Sequence, residues 1–178
     1  MREKLLRGYS LVTATQWGVI AHVHLPRHCS RSRGLDAFVG YKYSRGHEWV
    51  FDEGVVVPAS ASPQVRAPYS VAAAVDPEEA FIAALSSCQM LFFLAYAAKA
   101  GFIVDRYEDP ASGDLAKNEA GKEVMTRIVL RPAVTFYRRA PGAAEYAALH
   151  HHAHEDCYIA NSVKSEVVLE PTFTVHEG

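Results

Sequence analysis

Apolar and polar positions along the chain change period several times, and each change marks an element. The clearest pattern begins at Asp76-Pro77-Glu78-Glu79. Asp76 is a natural N-cap, and Pro77 takes the first helical position, where it has no hydrogen bond to lose. Glu78 and Glu79 meet the positive end of the helix dipole. Beyond them Phe81, Leu85, Cys88, Leu91 and Phe92 recur at spacings of three and four. Apolar residues fill most other faces too, which predicts a helix buried all round. It runs to about Ala100, and Gly101 supplies the residue that ends it. A second helix is predicted over Ala143–Asp156, with Pro141 near its start and Tyr146, Leu149 and Ala153 as its apolar stripe.

Strand patterns surround these helices. Tyr9–Trp17 is strand-like, whereas His22–Arg33, with three His, Cys29 and three Arg, has no clear period. Phe38–Tyr43 and His47–Phe51 predict two antiparallel strands about a Ser44-Arg45-Gly46 turn. Val55–Val57 is a short β-branched run, and the proline-rich stretch Ala59–Tyr69 reads as loop. After the long helix, Ile103–Leu115 and Glu123–Tyr137 predict two strands joined by a hairpin turn at Asn118-Glu119-Ala120-Gly121. Pro132 marks an edge or a bulge in the second of them. A turn at Ile159–Val163 precedes a last strand at Lys164–Val175. Helices and strands do not alternate regularly, so the fold class is α+β and not a doubly wound sheet.

Composition narrows the function. The 178 residues fit one domain, or two small lobes sharing a core. A 49% hydrophobic content supports a core, and a formal charge of −2 argues against a strongly basic nucleic-acid surface. Three Cys exclude a dense disulfide framework and favour a reducing, cytoplasmic setting. The most apolar run, Ala80–Ala98, is interrupted by Ser86, Ser87, Cys88 and Gln89, so no membrane span is expected. Met1–Val19 lacks the apolar stretch of a secretory signal.

Few residues carry chemistry. Cys88 lies in the middle of the long helix. Packing is its plainest reading, yet the two Ser and the Gln beside it suggest a face that meets a pocket. Cys157 ends the second helix. A second thiol near an oxidised first one closes it as a disulfide, but sequence spacing alone does not bring the two together. Glu78 is ten residues, or about 15 Å of helix, before Cys88 and cannot touch it directly. Its local role is stabilising the helix dipole. In the run His150-His151-His152-Ala153-His154, pairs three and four apart share a helix face and suit a metal. No third ligand is fixed and there is no HExxH pattern, so a partly solvated helix face is the default and no metal is expected. Phosphate loops, GxSxG elbows and CxxC pairs are missing from the sequence.

Two of these segments, taken together, resemble the OsmC/Ohr family of osmotically inducible and organic hydroperoxide resistance proteins. Asp76-Pro77-Glu78-Glu79 through Cys88 resembles that family's NPEE…C helix, with Asp76 in place of Asn. Leu149–Val163 around Cys157 resembles its second-cysteine motif. The resemblance spans residues 38–176 of a single OsmC-like domain over residues 1–178 and leaves 1–37 divergent.

The resemblance implies an intertwined homodimer whose curved antiparallel sheets wrap two central helices. It also implies thiol-dependent reduction of organic hydroperoxides, and of hydrogen peroxide as a further substrate. Cys88 matches the peroxidatic and Cys157 the resolving cysteine. Glu78 matches the Glu that holds a catalytic Arg. For that Arg, Arg66 is preferred by its spacing from Glu78, and Arg45, in an Arg-x-His context, is the other candidate. No bound cofactor is implied, only an external dithiol or lipoyl-type reductant. Phe81 and Leu91-Phe92-Phe93 are candidates to line an apolar substrate pocket. A binding or stress protein of the same fold without turnover is the alternative reading, and a metal protein built on the His run a third.

Overall fold

The computed structural model describes residues 22–24 and 38–177, and the chain forms two compact units, Met1–Ala74 and Val75–Gly178. The Tyr9–Trp17 strand expectation, Cys29 and most of residues 1–37 lie outside the described residues.

The first unit carries a small antiparallel sheet in the order β1 (His22–His24), β2 (His47–Val50) and β3 (Val56–Ala59). His22 faces Val50, and Val50 faces Val56. Pro58 sits in β3, an edge strand where no further ladder needs its missing N–H. The expected strand at Phe38–Tyr43 is instead a helical turn. Tyr41 N–H donates to the Phe38 carbonyl at 3.0 Å, and the Phe38 and Tyr43 rings stack across the turn at 4.5 Å. The expected loop at Ala59–Tyr69 holds one helical turn, α1 (Pro63–Arg66), capped by the Ser62 hydroxyl.

The second unit opens with the long helix α2 (Pro77–Lys99). Its N-terminus is a reciprocal capping box. Glu79 N–H donates to Asp76 Oδ1 at 2.8 Å, and Asp76 N–H to Glu79 Oε2 at 3.2 Å. Its C-terminus closes as a Schellman motif about Gly101 at φ +79°. There Gly101 N–H donates to the Ala98 carbonyl and Phe102 N–H to that of Ala97. The helix is not buried all round, as its composition predicts. Leu85, Gln89, Phe93 and Ala97 form one buried stripe, while Leu91 is 60% exposed. The open side is made of small residues, Ala84, Ser87, Ala95 and Ala98. By length and composition α2 could cross a membrane, yet its buried stripe packs on protein.

Three strands expected to be continuous are each broken at a proline. Ile103–Leu115 becomes β4 (Val104–Glu108) and β5 (Ser112–Lys117) around Pro110. Glu123–Tyr137 becomes β6 (Glu123–Leu130) and β7 (Ala133–Tyr137) around Pro132. Lys164–Val175 becomes β8 (Glu166–Leu169) and β9 (Thr172–His176) around Pro171. Pro132 is therefore neither a bulge nor an edge residue but the passage from one sheet to another. The halves sort into two three-stranded sheets, β4-β7-β9 and β5-β6-β8, each with one antiparallel and one parallel pair. The hairpin between β5 and β6 forms where expected, with Gly121 at φ +73°.

Arg131 fastens the crease. Its backbone N–H donates to Asp109 Oδ1 at 2.6 Å. Its guanidinium reaches Glu170 at 3.0 Å and the Ser112 hydroxyl at 2.8 Å. All three proline breaks are thus tied to one side chain and its backbone.

The parallel pairs need a crossover connection, and the second helix, α3 (Ala143–Asp156), supplies it at the expected bounds. The core centres on Phe93 of α2. The rings of Tyr107, Phe136, Tyr146 and His150 lie 4.1 to 6.4 Å from it.

Candidate active site

The site is built where α2 and the end of α3 meet, within the second unit. Cys88 is half-buried on α2 and Cys157, fully buried, is the residue that closes α3. Both thiols are free, and Cys88 packs against the buried cluster that holds Cys157. Leu85, Ile128 and Leu130 form the buried apolar floor beneath Cys157, and Phe81, Phe92 and Ile159 pack around it.

Local sequence explains why Cys157 is held there. The chain leaves α3 through a turn at Ala160–Ser162. Asn161 donates its side-chain amide to the Glu155 carbonyl at 2.7 Å and to the Cys157 carbonyl at 3.1 Å. Those are helix-terminal acceptors with no partner inside the helix. Ala160 N–H points at Cys157 Sγ at 3.4 Å.

Burial, with the neighbouring Cys88 thiol second, pushes the Cys157 thiol up to about 11, partly opposed by the backbone N–H groups of Ala160 and Ile159. Cys157 is therefore a protonated thiol at neutral pH, placed against the sulfur of Cys88. A half-buried and a fully buried thiol packed in one cluster can exchange two electrons by closing a disulfide.

The other expected site residues are placed as follows. Glu78 lies half-buried in the first turn of α2, ten residues from Cys88. Arg45 belongs to the first unit, where its guanidinium lies 3.7 Å over the Tyr43 ring and Nη2 donates to the Tyr41 carbonyl at 3.5 Å. Arg66 ends α1, and its side chain lies outside the described residues. The four aromatic and aliphatic residues expected to line one pocket divide. Phe81 and Phe92 sit beside the thiols, Phe93 is in the core, and Leu91 faces outward.

The polar neighbours of Cys88 also divide. Ser86 and Ser87 line a groove of about 510 Å³ shared with Tyr107 and Asp109, and Ser86 donates to Asp109 at 2.5 Å. Gln89 points the other way and is fully buried against α3. Its place was readable, since it falls four residues after Leu85 and four before Phe93.

The His run lies on a partly solvated helix face, as expected. His150 is 2% exposed and stacks on Phe93 at 4.1 Å, and burial lowers its pKa to about 4. His151 and His152 face outward and flank Glu155. The missed signal is that His150 belongs to the same stripe as Tyr146, Leu149 and Ala153. Among the described residues no group of three His, Cys, Asp or Glu is placed to hold a metal ion.

This fold, with paired thiols on its two helices, matches a known class. Residues 70–172 fit the model of the OsmC-like protein family, and the chain belongs to that family. The match includes Glu78, Cys88 and Cys157 and stops short of Arg45 and Arg66. An OsmC-like protein of unknown function from Vibrio cholerae is 48% identical, covering 88% of this chain and 100% of its own, with a TM-score of 0.81. An organic hydroperoxide resistance protein from Elizabethkingia anophelis shares the fold at 15% identity and a TM-score of 0.64, covering 92% of this chain and 100% of its own. One from Bacillus subtilis does so at 18% identity and 0.56, covering 89% and 98%. Among curated protein sequences none matches the chain.

Proposed function

We propose that this protein is a thiol-dependent peroxidase acting on organic hydroperoxides. One observation carries the reading: two helices far apart in sequence bring Cys88 and Cys157 into one packed cluster. Membership of a family that includes organic hydroperoxide resistance proteins agrees with it.

In this mechanism the Cys88 sulfur attacks the terminal oxygen of the hydroperoxide. The O–O bond breaks, the alcohol leaves with a proton, and Cys88 becomes a sulfenic acid. The Cys157 thiol loses its proton and attacks that sulfur, releasing water and forming the disulfide. An external dithiol of lipoyl type returns two electrons and two protons, so no bound cofactor is needed. Burial of Cys157 keeps it protonated until the sulfenic acid forms, which leaves Cys88 as the first thiol to react. Phe81 and Phe92 beside the thiols favour an alkyl group over water as the leaving portion.

For the guanidinium that orients the peroxide we assign Arg66, with Arg45 as the alternative. The protein works as a cytoplasmic homodimer, a reading supported by Leu91 and the small residues on the open side of α2.

The test is cumene hydroperoxide consumption with a dithiol reductant, for wild type, Cys88→Ser, Cys157→Ser, Arg66→Met and Arg45→Met. Turnover should vanish in Cys88→Ser. In Cys157→Ser a sulfenic acid should persist, and only one of the Arg variants should lose most of kcat/KM. No turnover by the wild type with any peroxide overturns the reading in favour of a binding protein of this fold.

A further inference from the structure

Two polar ties join the thiol-bearing helices, and each has one end beside a cysteine. Gln89 follows Cys88 and donates Nε2–H to the His150 carbonyl of α3 at 3.1 Å. Asp156 precedes Cys157 and accepts the hydroxyl of Tyr96 on α2. Among the described residues these are the polar side-chain links between α2 and α3.

Stability alone does not account for Gln89. Its Oε1 is buried with no partner, and the carbonyl it reaches already serves the helix of α3. An apolar side chain of the same length would fill the space without an orphaned oxygen. The helices are also joined without either tie, since Phe93 stacks on His150 and meets Tyr146 edge-on. Stacked rings tolerate sliding and small rotations. Hydrogen bonds are more directional.

We propose that Gln89 and Tyr96 are positioning residues that fix the rotation and register of α3 on α2. In doing so they set the effective concentration of the Cys157 thiol at Cys88. Disulfide geometry is narrow, with the sulfurs about 2.05 Å apart at a fixed dihedral, so a small turn of α3 removes Cys157 from reach. The inference rests on Cys88 and Cys157 being a redox pair, but not on peroxide being the oxidant.

The experiment therefore uses glutathione disulfide. The protein dithiol gives up two electrons and two protons to one glutathione disulfide, yielding the protein disulfide and two glutathione thiols. After acid quench and alkylation, mass spectrometry reads the Cys88–Cys157 equilibrium constant. Gln89→Met and Tyr96→Phe should each lower it about five- to tenfold. Asp156→Asn keeps an acceptor for Tyr96 and should stay within about twofold of wild type. The urea midpoint of reduced Gln89→Met should equal or exceed that of wild type, a result no purely structural role gives.

Constants unchanged in both Gln89→Met and Tyr96→Phe overturn the proposal. So does a fall that merely tracks lost stability, or a wild type that forms no Cys88–Cys157 disulfide with glutathione. Absence of peroxide turnover alongside the expected glutathione shifts would sink the peroxidase reading and leave this one standing.

Discussion

Acid should weaken this protein through a single buried ring, that of His150. The ring is 2% exposed and stacked on Phe93, with Tyr146 edge-on at 4.7 Å. The titratable group packed against it is the phenol of Tyr146, pushed up by burial and neutral. No carboxylate offsets a proton there, and burial takes the imidazole from 6.5 to about 4. The folded state thus refuses a proton that the unfolded chain accepts, so stability is full above pH 6.5 and falls as the pH drops toward 4.

At pH 7 the loss is near zero, and at pH 5 it is about 2 kcal/mol. With a urea dependence of about 2 kcal/mol per molar, the midpoint should move down by about 1 M between these pH values. His150→Phe keeps an aromatic ring and removes the titration. Urea unfolding of both proteins at pH 7 and pH 5, with reductant present, checks the reasoning. The variant should lose about 1 M less than wild type over that interval. Equal pH dependence in wild type and variant would refute the assignment.

Alkylation should separate the two thiols. With Cys157 at about 11, only about one molecule in a thousand carries its thiolate at pH 8, so iodoacetamide should label Cys88 and spare Cys157 in the folded, reduced protein. Peptide mapping reads this directly, and early labelling of Cys157 would contradict the burial argument. At the crease, Asp109→Ala strips the partners from the Arg131 N–H and the Ser86 hydroxyl at once. It should cost about 2–3 kcal/mol in urea unfolding, with Asp109→Asn costing less than half as much because one acceptor survives.

What the sequence disclosed follows from how local each signal is. The ends of α2 were legible because a capping box and a C′ glycine act within one turn. Both helices fall within a residue of their expected bounds. The strand breaks were not legible, because a proline in a β-rich run is equally compatible with an edge, a bulge or a change of sheet. Only the pairing partners decide, and β6 finds β8 across a whole helix. His150 was hidden by its neighbours: three consecutive imidazoles look polar, although only one of them falls on the buried stripe. The two cysteines and Glu78 could be picked out, but their meeting could not, since 69 residues separate the thiols.

Cys157 sits inside the crossover between β7 and β8, and both parallel ladders depend on that crossover. A nascent chain that has closed β6 on β8 and β7 on β9 has already carried Cys157 across to α2. The proximity of Cys88 and Cys157 is therefore a late product of folding. A truncated or partly folded chain holds two ordinary, separate thiols, and only completion of the sheets turns them into a pair.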